Sequence, residues 1–164
     1  MLFRSAPYIF HYSETWRVRT QASLADPLHD WLTVRTDPDL SAHMVVAHRY
    51  GVVTAGQVAL PLPSRADALA AVWYDIADAE HQVVAEPVYV ILNLCRTYCW
   101  LRDGVVLSKS AGGRALLPDL TGEAHAVVAA VLAMRDGDDR VPPPPDALQR
   151  VAAHLLGEIR AMVM

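Results

Sequence analysis

The sequence is poor in several features that mark common functional classes. It has two cysteines and one lysine in 164 residues, and its 14 Lys and Arg are outnumbered by 18 Asp and Glu, for a formal net charge of -4. The absence of a basic run argues against a nucleic-acid-binding protein. Two cysteines supply neither a disulfide framework nor a complete set of metal ligands. Cys95 and Cys99 are therefore predicted to be buried thiols in a reducing cytoplasm.

Long hydrophobic runs are also missing. The longest mostly apolar stretch, Val83 to Leu101, contains Glu86, Asn93 and Arg96, whereas a membrane span needs about 20 predominantly apolar residues. The N-terminal segment has no continuous apolar core and no small-residue cleavage site of the kind found in signal peptides. We therefore expect a cytoplasmic protein without a membrane partner.

Motifs for several enzyme classes are absent as well. No glycine-rich phosphate loop with the standard spacing and no G-x-S-x-G nucleophile elbow occurs. The seven histidines are scattered, which argues against a zinc site. Asp37 and Asp39 are explained by a helix N-terminus, where carboxylates are stabilised. Asp75 and Asp78 fit either a solvated helix surface or a rim that binds a cation.

What the sequence does contain is hydrophobic residues, 53% of the chain, at helical spacing. Capping residues, prolines and glycines delimit predicted helices at 38–50, 64–80, 87–103, 121–134 and 146–162, with a short helical turn at 108–113 that ends at two glycines. The pattern predicts an all-α fold, an up-and-down bundle of about five helices. An irregular N-terminal segment precedes it, with one candidate strand at Tyr8–Tyr12.

Three basic residues have candidate roles. Arg96 lies in the middle of the apolar third helix, where it either pairs with a buried carboxylate or reaches a pocket. Lys109, the one lysine, follows Ser108 at the start of a short helix. A lysine at a helix N-terminus is a reasonable phosphate contact, although a plain surface charge is the alternative. Arg114 would extend the same patch.

Several segments resemble one known family. They are Glu86-Pro-Val-Tyr-Val-Ile-Leu-Asn-Leu-Cys-Arg96, then Val106-Leu-Ser-Lys109 and Gly112-Gly113, with Phe10-His-Tyr-Ser-Glu-x-Trp16 and Asp37-Pro-Asp-Leu-Ser-Ala-His43 upstream in matching order. Together they look like the C-terminal helical domain of aminoglycoside adenylyltransferases of the streptomycin/spectinomycin type. The resemblance covers roughly residues 7–162.

This resemblance implies a division of labour between two domains. In the family, an N-terminal nucleotidyltransferase domain holds ATP and Mg²⁺ with a Gly-Ser loop and a D-x-D pair. The helical domain binds the antibiotic in the cleft and reaches the ATP phosphates with a lysine, which Lys109 matches. Trp16 and Glu86 match substrate-binding positions. Gln82 replaces a neighbouring acidic residue, which favours spectinomycin or a related aminocyclitol over streptomycin.

A Gly-Ser loop followed by a D-x-D pair does not occur in these 164 residues, and Asp37-Pro38-Asp39 is not expected to replace it because no glycine loop precedes it. We therefore expect residues 1–30 to be a linker from a missing nucleotidyltransferase domain and 31–164 to be the helical substrate-binding domain. No catalytic or metal-binding residue is assigned, and ATP and Mg²⁺ are expected only together with such a domain. A truncated gene, an isolated second domain and a stand-alone relative all remain open. The alternative function is a non-catalytic helical module that binds a cationic small molecule or a protein partner.

Overall fold

The structure is a computed structural model that describes residues 6–8, 21, 35–57, 60–138 and 141–163. The chain divides into two compact units, Met1–Tyr74 and Asp75–Met164. The boundary predicted near residue 30 lies outside the described residues and stays a prediction.

The first unit contains two short strands. Strands β1 (Ala6–Tyr8) and β2 (Arg35–Asp37) pair in an antiparallel ladder with Pro7 opposite Thr36. Tyr8 of the predicted strand lies in β1, and residues 9–12 lie outside the described part of the chain. The second strand, β2, was not predicted, because its three residues are too few to show an alternating pattern.

Two helices follow these strands. Helix α1 spans Leu40–Tyr50 and ends at Gly51, as predicted, but it begins after the turn at residues 38–39 rather than at the proline. Helix α2 spans Arg65–Ile76. The predicted capping residue Ser64 accepts a hydrogen bond from the Asp67 backbone N–H at 3.1 Å and donates its hydroxyl to the Asp67 carboxylate. This reciprocal pair satisfies one of the exposed N–H groups at the helix start.

The predicted helix 64–80 is interrupted. Helix α2 ends at Ile76, and after a turn at residues 77–78 the short helix α3 occupies Ala79–Gln82. The Asp78 carbonyl accepts the N–H groups of His81 and Gln82, both at 3.1 Å, and so starts a new helical turn. The single continuous helix predicted here was wrong at its C-terminal end.

The second unit is a bundle of longer helices, and the predicted all-α class is confirmed. Helix α4 spans Pro87–Asp103, α5 Lys109–Leu116, α6 Gly122–Arg135 and α7 Pro145–Val163, with a 3₁₀ turn at Leu117–Asp119. Helix α4 starts with its proline in the first turn, as predicted, and ends at Gly104, whose φ of 70° is left-handed. Helix α7 begins at Pro145, one residue before the predicted cap Asp146, which lies in the first turn.

Helix α4 is the centre of the bundle, because α5, α6 and α7 all pack against it. The buried side chains form one apolar core, drawn mainly from α4, α6 and α7: Ile91, Leu92, Leu94, Cys95, Cys99, Val128, Val131, Leu148, Leu155, Leu156 and Ile159. Both cysteines are buried and unbridged, as predicted. Burial, with a smaller effect of the neighbouring Cys99, raises the pKa of the Cys95 thiol to about 12. No described helix is long and apolar enough to cross a membrane.

The two adjacent glycines of α5 allow its close contact with α4. A Cβ at Gly112 would lie 2.5 Å from the Arg96 Cα, and one at Gly113 would lie 2.7 Å from the Leu92 Cδ2. The Cys99 thiol also lies 3.7 Å from the Gly112 carbonyl oxygen. The predicted helical turn that ends at these glycines was wrong. The helix continues to Leu116, since the glycines are a packing surface rather than a stop.

Candidate functional site

One concave site in the second unit lies where three helices meet. It encloses about 420 Å³ between the N-terminal turns of α4, the first residue of α5 and the C-terminal end of α6. Its lining residues are Glu86, Pro87, Val88, Tyr89, Leu92, Lys109, Met134 and Arg135. Two residues predicted from the sequence, Glu86 and Lys109, therefore share one cavity, although 23 positions separate them in the chain.

Lys109 enters the cavity from the first position of α5. Ser108 is the N-cap, and its Oγ accepts the Ala111 backbone N–H at 3.1 Å, which fixes the start of the helix. The Lys109 Nζ lies 4.0 Å from the centre of the Tyr89 ring. Burial and the nearby Arg96 hold the pKa of this amine below its ordinary value of 10.5. Lys109 therefore presents a partly desolvated ammonium group to the cavity.

A hydrogen-bonded cluster beneath Tyr89 is centred on Asp75. The Tyr89 hydroxyl donates to the Asp75 Oδ1 at 2.7 Å, and Asn93 donates to the Asp75 Oδ2 at 2.7 Å. Arg96 donates to the same Oδ2 at 3.3 Å and to the Asn93 Oδ1 at 2.6 Å. Arg96 thus pairs with a carboxylate rather than reaching the cavity. Asp75 holds an internal arginine instead of forming a rim for an external cation.

Glu86 is the first of the lining residues along the chain, and it lies just before α4. It is the N-cap residue, but its side chain makes no capping hydrogen bond and is exposed. The positive end of the helix dipole stabilises a carboxylate at this position. Since Glu86 forms no ion pair with another described residue, its charge is available to a ligand.

Arg135 is a lining residue that the sequence did not single out. It occupies the last turn of α6, where a basic residue is a common complement to the helix dipole. This placement is so common that the sequence does not mark Arg135 as a site residue. The packing of α6 against α5 brings it to the Lys109 cavity. Arg135 and Lys109 line the same cavity, and the charge of Arg135 adds a small contribution to the lowered pKa of Lys109.

The cations at this cavity differ from those in the rest of the bundle because they are not paired with carboxylates. Within the described part of the second unit, the other arginines contact carboxylates: Arg96, Arg102, Arg114, Arg150 and Arg160. Lys109 and Arg135 have no carboxylate partner among the described residues, and both line the cavity. Both unpaired cations of the described second unit therefore lie at one cavity with the unpaired carboxylate of Glu86, a combination that suits a ligand with both anionic and cationic groups.

The remaining candidates fall elsewhere. Arg114 was expected to extend the Lys109 patch, but it pairs with Asp136 at 2.7 Å and does not line the cavity. Trp16 lies outside the described residues, so its predicted role stays a prediction. No group of three or more metal-ligating side chains occurs among the residues that were placed.

Residues 59–158 match the family model of the aminoglycoside adenylyltransferase C-terminal domain. The chain belongs to this family. The matched range contains Glu86, Lys109 and Arg135, and it ends before the last turn of α7. No curated protein matches the chain significantly.

Membership in the adenylyltransferase C-terminal domain family agrees with the resemblance expected from the Leu-Cys-Arg and Leu-Ser-Lys segments. The structure shows how these segments are related in space. The first lies on α4 and the second leads into α5, and the two helices are held together at Gly112 and Gly113. In this adenylyltransferase C-terminal domain, the same helix contact brings Lys109 to the cavity.

Proposed function

We propose that this chain is the antibiotic- and ATP-contacting helical domain of an aminoglycoside nucleotidyltransferase. Together with a nucleotidyltransferase domain, it would transfer AMP from ATP to a hydroxyl of spectinomycin or streptomycin. The observation that supports this most directly is the cavity that gathers one unpaired carboxylate, Glu86, and two unpaired cations, Lys109 and Arg135. Its volume of about 420 Å³ is in the range of small-molecule sites.

The two signs of charge suit the two substrates of this reaction. Lys109 and Arg135 would contact the phosphate oxygens of ATP, because cationic donors in a partly desolvated site bind phosphate strongly. Glu86 would contact an ammonium group of the antibiotic. The apolar side chains of Val88, Leu92 and Met134 complete the lining and would exclude water from the bound substrates.

In the transfer itself, the antibiotic hydroxyl attacks the α-phosphorus of ATP, a new P–O bond forms and pyrophosphate leaves. Catalysis of phosphoryl-group transfer depends largely on positioning and on neutralising negative charge. Lys109 and Arg135 would supply that neutralisation from this chain. The base that takes the hydroxyl proton and the residues that hold Mg²⁺ would belong to the nucleotidyltransferase domain.

The decisive experiment measures ATP and spectinomycin binding by calorimetry, and AMP transfer after a nucleotidyltransferase domain is supplied. Lys109→Ala should weaken ATP binding by at least about tenfold, since a hydrogen bond to a charged group contributes about 1.5–3 kcal/mol. Glu86→Gln should weaken spectinomycin binding and leave ATP binding unchanged. Arg114→Ala is the control, because this α5 arginine pairs with Asp136 outside the cavity. Equal effects of all three variants would contradict the assignment.

Binding by the isolated chain distinguishes the two functional classes. A half-site should bind spectinomycin weakly, whereas a dedicated non-catalytic module should bind it tightly and remain inactive with every supplied nucleotidyltransferase domain. ATP binding should also depend on pH. Because the pKa of Lys109 lies below 10.5, the ammonium form is lost at a lower pH than for an exposed lysine. Affinity should therefore fall with rising pH in wild type and change less in Lys109→Ala.

A further inference from the structure

We infer that Tyr89, anchored by Asp75, is a positioning residue that holds the Lys109 ammonium group over the cavity. The inference rests on the proposed function for the identity of the ligand, which would be a phosphate-containing one. Its structural part concerns the free protein and can be tested separately.

The ammonium group of Lys109 contacts the face of an aromatic ring. The Lys109 Nζ lies 4.0 Å from the centre of the Tyr89 ring, well within the distance at which a cation is attracted to an aromatic face. A lysine has a flexible four-carbon stem, so its ammonium needs a second contact to stay in one place. Among the described residues, the Tyr89 ring is the contact that supplies it.

The ring itself is held in place. The Tyr89 hydroxyl donates to the Asp75 Oδ1 at 2.7 Å, and the other carboxylate oxygen accepts from Asn93 and Arg96. These contacts all lie within the second unit, which begins at Asp75. The ring is therefore fixed at its backbone and at its hydroxyl, with one face toward Lys109.

The choice of an aromatic partner has a chemical consequence. A carboxylate at 4.0 Å would neutralise the ammonium and compete with an incoming anion. An aromatic face attracts the cation through its quadrupole but carries no net charge. It therefore leaves the three N–H donors of the ammonium group available to phosphate oxygens. The nearest carboxylate of the cluster, Asp75, is occupied by Arg96. Lys109 thus stays positioned while its positive charge remains available to the ligand.

The electrostatic surroundings agree with this arrangement. Besides burial, the charges of Arg96 and Arg135 lower the pKa of Lys109, and the charge of Asp75 raises it. The amine is thus near two cations and one paired carboxylate. An anionic ligand would relieve the repulsion among Lys109, Arg96 and Arg135, so its binding should raise the pKa of this amine.

Lys109 is the single lysine of the chain, which allows an unusually direct test. With lysine labelled with ¹³C and ¹⁵N, the side-chain spectrum contains one ε-methylene signal. In wild type, the signal should be shifted upfield by the Tyr89 ring current. Tyr89→Leu should abolish the shift. Tyr89→Phe keeps the ring but not the link to Asp75, and should reduce it.

Tyr98→Phe is the matched control, because Tyr98 lies on the same helix and its ring contacts Arg102 instead. It should leave the Lys109 signal unchanged. A wild-type signal without an upfield shift, or a shift that persists in Tyr89→Leu, would overturn the inference. Thermal unfolding of each variant shows whether it is folded.

The second measurement uses inorganic tripolyphosphate as the probe and follows its binding by calorimetry. Tyr89→Leu should weaken binding about fivefold and Tyr89→Phe about twofold, the range expected for a partly exposed cation–π contact. If Tyr89 acted only as a structural hydrogen-bond donor to Asp75, the two variants would weaken binding equally. Unchanged binding in a folded Tyr89→Leu would also overturn the positioning role.

The two proposals fail in different ways. If wild type shows the ring-current shift that Tyr89→Leu abolishes, the lysine is positioned as inferred, whatever it binds. If the same protein does not bind tripolyphosphate, the proposed phosphate contact is wrong. If tripolyphosphate binds and the ring-current shift is absent, the positioning by Tyr89 is wrong and the proposed function stands.

Discussion

Helix α5 makes two opposite kinds of contact within eight residues. At Gly112 and Gly113 it touches α4 so closely that a single methyl group would collide with backbone or side-chain atoms. At Lys109, at the start of the same helix, α5 instead borders a cavity of about 420 Å³ that is lined by charged side chains. The first contact is closely packed, and the second leaves charges unpaired.

The difference shows how one helix serves stability and binding together. Close packing at the glycines fixes the position of α5 on α4, since interiors tolerate little change in volume. Because the position of α5 is fixed, Lys109 can be held next to Tyr89 without an ion pair of its own. The close contact at the glycines therefore fixes the position of Lys109, and the charges at the cavity need not add to the free energy of unfolding.

The largest expected effect is at the glycine contact. Gly112→Ala should lower the free energy of unfolding by about 2–3 kcal/mol, because the new Cβ would meet the Arg96 backbone, which cannot rotate away. Urea denaturation followed by circular dichroism measures this change. Gly113→Ala should cost less, since the Cβ there meets the ends of two leucine side chains, Leu92 and Leu132.

The control for these variants is Gly157→Ala on α7. Outside the local helix backbone, no described atom lies within 4 Å of a Cβ at this position, so alanine should stabilise the helix by up to about 1 kcal/mol. If Gly112→Ala were also stabilising, the close contact between α4 and α5 would be incorrect, and the comparison with the cavity would lose its basis.

A smaller effect on stability is expected at the hydrogen-bonded cluster centred on Asp75. Asp75→Ala should lower the free energy of unfolding by about 1–2 kcal/mol, because it leaves the half-buried Arg96 and the buried Asn93 without an acceptor. Asp78→Ala is the control. It removes exposed contacts with His81 and Gln82 and should change stability by less than about 0.5 kcal/mol. Thermal unfolding of both variants tests the difference, and equal effects would show that Asp75 is only a surface residue.

The smallest effect on stability is expected at the cavity. Lys109→Met should change the free energy of unfolding by no more than about 0.5 kcal/mol, because no carboxylate among the described residues loses a partner. The same variant should lose most of its tripolyphosphate binding. A destabilisation as large as that of Gly112→Ala would mean that Lys109 serves the fold rather than a ligand.

Most of the helical architecture could be predicted from local signals. Ser64, Pro87, Gly104 and Thr121 mark helix ends through interactions within a few residues, and the structure places helix boundaries at or next to each of them. The errors occurred where local signals conflict with packing. Gly112 and Gly113 look like a helix stop, but their backbone is needed against α4, so the helix continues through them.

The candidate site was predictable only in part. Lys109 and Glu86 could be selected because their neighbouring residues resemble a known family, and because a single lysine after a capping serine is conspicuous. Arg135 and Tyr89 carried no such signal. A basic residue in a last helical turn and an aromatic residue in an apolar helix are both ordinary, and their meaning depends on which residues lie opposite them.

The sequence by itself determined that this chain is helical and resembles the C-terminal domain of aminoglycoside adenylyltransferases, because caps, periodicity and short motifs are properties of neighbouring residues. Only the tertiary structure decided which charges are paired. Arg96 and Arg135 are equally basic in the sequence, but the fold places one against Asp75 and the other beside Lys109 at the cavity. Ion pairing depends on distances of a few ångströms between different helices, which are set by how closely the helices pack.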